Sequence, residues 1–288
     1  MQSFFKKALF LAAILSLFVI GCKKDKTEEP EFDTQTSQDN ALAEGTFNDI
    51  GNMALQAIDN GNSLSTYRGS APEGSFLSNC ATVTLTPDTA GSGGTVLIDF
   101  GSSNCLCSDL RYRRGSVTIH FTGAYRDSGT VITHTFDNYF VGKNTTNMFK
   151  VTGSKTVTNM GRNTSGNLVF KIEVDGHLTN SANATMNWLS TRYREWIAGE
   201  STTGLTGWTD DVYRITGSAS GVNFEGTSYT ANISSALEIA LDCRYIRRGV
   251  FELTPSGKPT RKLDFGNGDC DSLATITVNG TTFDVVLR

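Results

Sequence analysis

Tryptophan and arginine alternate within one short segment and form the clearest candidate for recognition chemistry in the chain. The set comprises Trp188, Arg192, Arg194 and Trp196, with Trp208 nearby. The first four are even-numbered and share one face if the segment is a β-strand. Indole rings stack on planar or cationic groups, and guanidinium groups pair with acids in a bidentate manner. The pattern therefore predicts an outward-facing surface that binds a glycan or a protein partner.

The opposite face of the same segment carries aliphatic and aromatic side chains that would pack on the core. These are Leu189, Tyr193 and Ile197. Two alternatives remain open. Trp188, Arg192 and Trp196 would also share one side of a helix, since they recur at intervals of four. Large tryptophans also often cover the core of a sheet.

Neighbouring carboxylates suggest a second chemistry. Asp210 and Asp211 follow Glu195 and Glu200, and a pair of carboxylates is what glycoside hydrolysis needs, one as acid and one as base or nucleophile. Adjacent acids at the edge of a strand are more often solvated turn residues. A polysaccharide hydrolase that uses Asp210 or Asp211 is therefore kept as an alternative function.

Metal-binding patterns are weak. His120 and His134 fall on opposite faces of a predicted hairpin, and His177 is distant from both. No cysteine and histidine spacing of the zinc type occurs in the sequence. Residues 266–271 place oxygen ligands at alternate positions, as calcium loops do, but lack the downstream bidentate acid. We expect no metal and no cofactor.

A short unit containing aspartate, phenylalanine and glycine occurs twice, each time ahead of a cysteine. Ile98–Gly101 precedes Cys105, and Leu263–Gly266 precedes Cys270, with the cysteine six positions after the aspartate in both copies. Another cysteine lies upstream of each unit, so the repeat covers residues 80–105 and 243–270.

This repeat predicts a disulfide between Cys80 and Cys105 and another between Cys243 and Cys270. Cys107 is then the odd thiol. It is either inert or an alternative partner of Cys80, and no adjacent histidine supports a catalytic role for it.

Strand periodicity dominates the chain after its first 80 residues. Apolar side chains recur at alternate positions, with turn residues between the runs. Strands are predicted, among others, at 131–141, 148–158, 167–175, 186–197, 211–219, 222–232, 236–241, 249–254, 260–265, 273–279 and 281–287. Asn279–Gly280 between the last two predicts a tight hairpin. Short connections of this kind favour antiparallel neighbours.

One helix is predicted ahead of the strands, over residues 41–59. Phe47, Ile50 and Ala54 fall on one face at helical spacing, and Gly61 follows as a stop. Residues 41–288 are thus predicted to form one all-β domain, a large antiparallel meander folded as a sandwich or a curved sheet, with a single N-terminal helix.

The N-terminus has the layout of an export signal. Lys6 and Lys7 precede an apolar run, Ala8–Ile20, that is shorter than the ~20 residues needed to cross a bilayer core. The run ends in Val-Ile-Gly-Cys, at Cys22. These four residues resemble the lipobox of bacterial lipoproteins.

The lipobox resemblance implies that residues 1–21 are removed as a signal peptide and that Cys22 becomes a lipidated first residue. Residues 22–40 are polar and are predicted to form a flexible tether. Lysine rather than aspartate follows the cysteine, at Lys23, which in such lipoproteins implies the outer membrane. The domain would face the periplasm or the cell surface.

Charge excludes one class of partner. The chain has a net charge of −4, and without residues 1–21 it keeps 23 basic and 29 acidic side chains. Nucleic-acid recognition requires a basic surface, so it is not expected.

The domain itself resembles the repeat-bearing lipoproteins of Gram-negative envelopes, a resemblance that implies no particular activity. We expect a non-enzymatic binding or structural module for a glycan or protein partner. A third option, a lipid carrier, would require a continuous concave apolar face.

Overall fold

One helix and fourteen strands make up the described part of the chain, which in this computed structural model comprises residues 34–59, 81–89, 92–202, 210–243 and 245–286. The elements are α1 Thr34–Asp59, β1 Thr82–Pro87, β2 Gly94–Asp99, β3 Cys105–Leu106, β4 Tyr112–Phe121, β5 Val131–Gly142, β6 Met148–Arg162, β7 Leu168–Thr179, β8 Thr185–Ala198, β9 Val212–Val222, β10 Ser228–Ala240, β11 Ile246–Pro255, β12 Arg261–Asn267, β13 Leu273–Val278 and β14 Thr281–Val286.

The strands form one continuous antiparallel sheet in chain order, except that the two-residue β3 pairs beside β4. The predicted all-β meander with one N-terminal helix is confirmed. Of the two predicted arrangements, the single sheet is the one found, since no second sheet packs on it within the described residues. The hairpin at Asn279–Gly280 is also confirmed: both residues have positive φ, at 52° and 78°, as a type I′ turn requires.

Glycine bulges bend the strands. Gly115 on β4 and Gly249 on β11 have φ of 79° and 114°, and the pairing register shifts at both positions. A Cβ at Gly115 would collide with the main chain of Asn138. Bulges of this kind increase twist and curvature, and the inner face of the sheet curls so that α1 and strands as distant as β5 and β13 line one cavity.

Two predicted strands, 222–232 and 236–241, belong to one element. The turn lies at Asn223–Thr227, where the Asn223 side chain accepts a hydrogen bond of 2.7 Å from the Thr227 N–H. Strand β10 then continues through an irregularity between Ile233 and Leu237. The bulge interrupts the alternation of side chains, which is why the sequence pattern suggested a break.

Helix α1 begins at Thr34, so the predicted tether is wrong over its last seven residues. Two of their polar side chains are bonded to the turn after β9: Thr36 accepts a hydrogen bond from the Asn223 side chain, and Asp39 accepts one from the Phe224 N–H at 3.0 Å. These polar groups can be buried because a turn distant in the sequence satisfies their hydrogen bonds. The polar composition of residues 34–40 is also typical of a solvated linker, which is why the sequence predicted a tether there.

The apolar face of α1 packs on the sheet as predicted for Phe47, Ile50 and Ala54, which are all buried. The Phe47 ring stacks on Trp188 with centroids 5.8 Å apart. It lies directly over Gly176 of β7, where a Cβ would strike the ring. The helix therefore sits close to the sheet and forms the main core with it.

The repeat disulfide Cys243–Cys270 is present, with Cα atoms 5.8 Å apart. Cys105 is also disulfide-bonded, and its predicted partner Cys80 lies outside the described residues. Cys107 is a free and buried thiol. This favours the prediction of an inert thiol over the prediction that Cys107 pairs with Cys80.

Several predictions concern other parts of the chain that lie outside the described residues, namely the signal peptide, Cys22 and residues 22–33 of the tether. Among the described residues, α1 is the one helix, and it is not apolar enough over a sufficient length to cross a membrane.

Candidate functional site

The tryptophan and arginine face of β8 points inward, so the prediction of an outward binding surface is wrong. Trp188 and Trp196 are 3% and 5% exposed, whereas Leu189 and Tyr193 on the other face are 52% and 41% exposed. The two-residue alternation was correct, and the assignment of its faces was inverted. Indole rings remove more apolar area from water than leucine does, and here their polar N–H groups find partners inside.

Those partners come from distant segments. Trp188 Nε1 donates to the Asn40 side chain of α1 at 3.0 Å. Trp196 Nε1 donates to Asp211 at 3.2 Å, and the Tyr213 hydroxyl donates to the other oxygen of the same carboxylate at 3.0 Å. Stacking of a glycan on either ring therefore has no geometric basis. Trp208 lies outside the described residues.

A cavity of about 550 Å³ lies between α1 and the inner face of the sheet. Its wall includes inward side chains from β5 to β13 and one side of the helix, and it takes in Trp188, Arg192 and Arg194 but not Trp196. Exposed residues of α1, Ala41 and Asn48, also line it, so the cavity opens to solvent beside the helix. This volume lies within the ~300–1,000 Å³ typical of sites for small ligands.

Apolar side chains from β9 to β13 form most of one wall. They are Ile215, Leu237, Ile239, Phe251, Leu253, Leu263, Phe265 and Ile276. Three of them continue across the sheet as direct partners, since Phe251 pairs with Leu263 and Leu263 pairs with Ile276. All three are only half-buried, so the concave surface they present is apolar but not filled by α1.

Basic groups line the same cavity at β6 and β8. Arg192 is buried and faces Glu44 of α1, with nitrogen to oxygen distances of 3.3 and 3.5 Å. Arg194 bonds to the Tyr125 hydroxyl and lies 5.1 Å from the centroid of the Tyr213 ring. Among the side chains that line the cavity, Glu44 is the one acid of the described residues.

Lys155 on β6 and His134 on β5 complete the polar wall. Burial, with repulsion from Arg194, lowers the pKa of Lys155 to about 7. Burial also lowers the pKa of His134 to about 3 and keeps its ring neutral. The ring donates from Nδ1 to the Lys155 carbonyl at 3.1 Å, since a carbonyl only accepts.

Lys155 and Glu44 were not predicted as site residues, and His134 was considered only as a metal ligand. A signal was present for the lysine, because it occupies the same strand face as Val151 and Val157, both of which are buried. A charged residue at an inward position of a strand indicates either a buried pair or a ligand site.

The predicted carboxylates are not brought together in the cavity. Glu195 accepts hydrogen bonds of 2.8 Å from Asn163 and Asn167, which lower its pKa. Glu200 pairs with Arg162, and Asp210 accepts a hydrogen bond from Thr202. None of these acids, nor Asp211, lines the cavity; each has a structural partner instead.

His120 and His134 face opposite sides of the β4–β5 pair, as predicted, with His134 paired with Ile119 and His120 with Thr133. Asp271, in the segment 266–271 whose pattern resembles calcium loops, accepts a hydrogen bond from the Leu273 N–H at 2.8 Å, which is a turn contact. Within the described part of the chain, no three histidine, cysteine, aspartate or glutamate side chains gather as metal ligands would.

Comparisons with protein-family models, with curated proteins and with solved structures found no match to this chain.

Proposed function

We propose that the chain is a non-enzymatic binding module of the cell envelope that holds an apolar or amphipathic ligand in the cavity between α1 and the sheet. This function corresponds to the lipid carrier, the third option that the sequence offered. The lipobox-like segment ending at Cys22 supports attachment to a membrane, with the outer membrane as the expected location.

The observation that carries the proposal is the open, concave apolar wall along β9–β13. Ile215, Phe251 and Ile276 are half-buried yet point to the inside of the sheet, into the space beside the helix. Apolar surface left open to water is costly, by about 25 cal/mol for each Å². A ligand with an apolar body would remove that surface from water.

The alternatives have less support. A hydrolase needs two carboxylates across a cleft, about 5–9.5 Å apart, and Glu44 is the one acid lining the cavity among the described residues. A glycan-binding surface needs exposed aromatic rings, whereas Trp188 and Trp196 are buried.

Gly45 offers a direct test, because it lines the cavity and a Cβ added there meets no atom within 4 Å. The full chain is titrated with N-phenyl-1-naphthylamine, an uncharged probe that fluoresces in apolar surroundings. Saturable binding is expected. Gly45→Phe should weaken binding roughly tenfold or more, since forcing added volume into an occupied space costs about 1–3 kcal/mol.

Gly45→Ala is the matched control and should bind like the natural chain, since one methyl group occupies little of the cavity. Both variants retain residues 8–20, so any probe bound by that apolar segment is common to all three proteins. Absence of saturable binding, or equal affinity in Gly45→Phe and Gly45→Ala, would overturn the proposal.

A further inference from the structure

The cavity wall carries more positive than negative charge. Four cationic side chains line it: Lys155, Arg192, Arg194 and Arg261. Glu44 is the one acid among the described lining residues, and it faces Arg192. The other three cations form no ion pair with a carboxylate in the described part of the chain, and the one carboxylate that acts on Lys155 from outside the cavity lining is Asp49 of α1.

Among the described residues, the hydrogen-bond acceptors of these three cations are all neutral. Lys155 Nζ donates to the Phe47 carbonyl at 2.7 Å, and Arg261 Nη1 donates to the Pro259 carbonyl at 3.2 Å. Arg194 bonds to the Tyr125 hydroxyl, and its buried Nε has no hydrogen-bond partner in the part of the chain that the structure describes.

Charge is costly in such surroundings. Removing a cation from water without a counter-charge costs several kcal/mol, and Lys155 and Arg261 are buried. Arg194 lies close enough to Lys155 to repel its ammonium. An anion bound in the cavity beside Lys155 and Arg194 would supply a counter-charge to both of these side chains at once.

Three of the four cations, Lys155, Arg192 and Arg194, lie at one end of the cavity on β6 and β8, whereas Arg261 lies within the apolar part, on β12 opposite Leu253. Arg194 pairs across the strands with Ile215, and Ile215 pairs with Leu237, so the apolar wall begins next to the guanidinium. The wall then extends to Ile276 on β13. Five strand spacings of about 4.8 Å separate β8 from β13, roughly 24 Å along the sheet.

We infer that the ligand is an anionic amphiphile, with its carboxylate or phosphate head held by Arg194 and Lys155 and its acyl-type chain lying over the apolar wall toward β13. This inference rests on the proposed function. It is the combination of unpaired cations and an adjoining apolar track that favours an acidic head group over a neutral lipid. Arginine suits both head groups, because its guanidinium pairs with either one in a bidentate manner.

The test compares palmitate with hexadecanol, which share one tail and differ in head-group charge, by displacement of N-phenyl-1-naphthylamine from the full chain. The natural chain should prefer palmitate by roughly 10- to 100-fold, as expected for hydrogen bonds to a charged group. Arg194→Met should bind palmitate no more tightly than hexadecanol. Lysophosphatidic acid then distinguishes the two head groups. Tighter binding than that of palmitate identifies a phosphate head, and weaker binding identifies a carboxylate head.

Arg162→Met is the matched control, since Arg162 pairs with Glu200 and does not line the cavity; it should keep the preference. Lys155→Met changes a different strand and should also reduce the preference for palmitate over hexadecanol. A second variant keeps the test valid if one of the two misfolds, and thermal unfolding is recorded for each. Binding of probe and hexadecanol with no preference for palmitate would overturn this inference and leave the proposed function standing. A preference that survives both methionine variants would also overturn it, whereas failure of all ligands to bind would reject both proposals.

Discussion

The Lys155 ammonium of β6 donates a 2.7 Å hydrogen bond to the main-chain carbonyl of Phe47, in the middle of α1. Phe47 in turn stacks on Trp188 of β8. The same residue of the helix thus contacts the sheet through its ring and through its backbone. Lys155 both anchors α1 and lines the cavity, so its protonation connects helix docking with the electrostatics of the site.

The first prediction concerns alkaline pH. Burial lowers the pKa of Lys155 from 10.5 to about 7, so above that pH the unfolded chain binds a proton that the folded chain has released. The free energy of unfolding should therefore rise between about pH 7 and 9.5, by about 2–3 kcal/mol from this group. Urea denaturation across that window measures the slope.

Lys155→Met is the comparison for this prediction, since it removes the titrating group and keeps a chain of similar length. Its unfolding free energy should depend less steeply on pH over the same window. Identical slopes in the two proteins would contradict the assignment. The window ends below pH 10 because burial also raises the pKa of Tyr139 to about 12, and that effect has the opposite sign.

The second prediction concerns two glycines on α1. An alanine in place of a helix glycine usually stabilises by about 0.5–1 kcal/mol. At Gly45 the new methyl group meets open space, whereas at Gly51 it would collide with the Lys155 ammonium. Gly45→Ala should therefore stabilise the protein, and Gly51→Ala should gain less or lose stability. Equal gains in urea denaturation would show that Lys155 does not hold its place against the helix.

The third prediction concerns acid. The pKa of His134 is lowered from 6.5 to about 3, so between these values the unfolded chain takes up a proton that the folded chain does not. This contribution is present above about pH 6.5 and is lost as the pH falls toward 3. His134→Asn keeps a side-chain donor for the Lys155 carbonyl without titrating. It should lose about 1–2 kcal/mol less than the natural chain between pH 7 and 5, measured by urea denaturation.

The fourth prediction concerns the disulfide Cys243–Cys270, which closes a loop with a sequence separation of 27. The chain-entropy model gives such a loop about 3.5 kcal/mol of stabilisation. Replacing both cysteines by alanine should lower the free energy of unfolding by about that amount. Cys107→Ala provides a comparison at a free thiol, and a loss no greater than in that variant would indicate that the bridge contributes little.

Sequence patterns predicted features that depend on neighbouring residues. The alternation along β8, the turn at Asn279–Gly280 and the apolar side of α1 at Phe47 and Ile50 follow from local geometry and turn chemistry. The pairing of Cys243 with Cys270 followed from a repeat in the sequence.

Tertiary structure decided which face of β8 lies inside and how far α1 extends. Alternation along a strand defines two faces but does not show which one is buried. The buried face of β8 depends on partners such as Asn40, which is 148 positions from Trp188. The polar start of α1 likewise became buried because Asp39 and Thr36 bond to the turn after β9. The cavity, with Lys155 in its wall, exists only when the curved sheet brings strands from β5 to β13 around the helix. A sequence pattern records what each residue prefers locally, whereas the inside of this protein depends on apolar packing and hydrogen bonds between residues far apart in the chain.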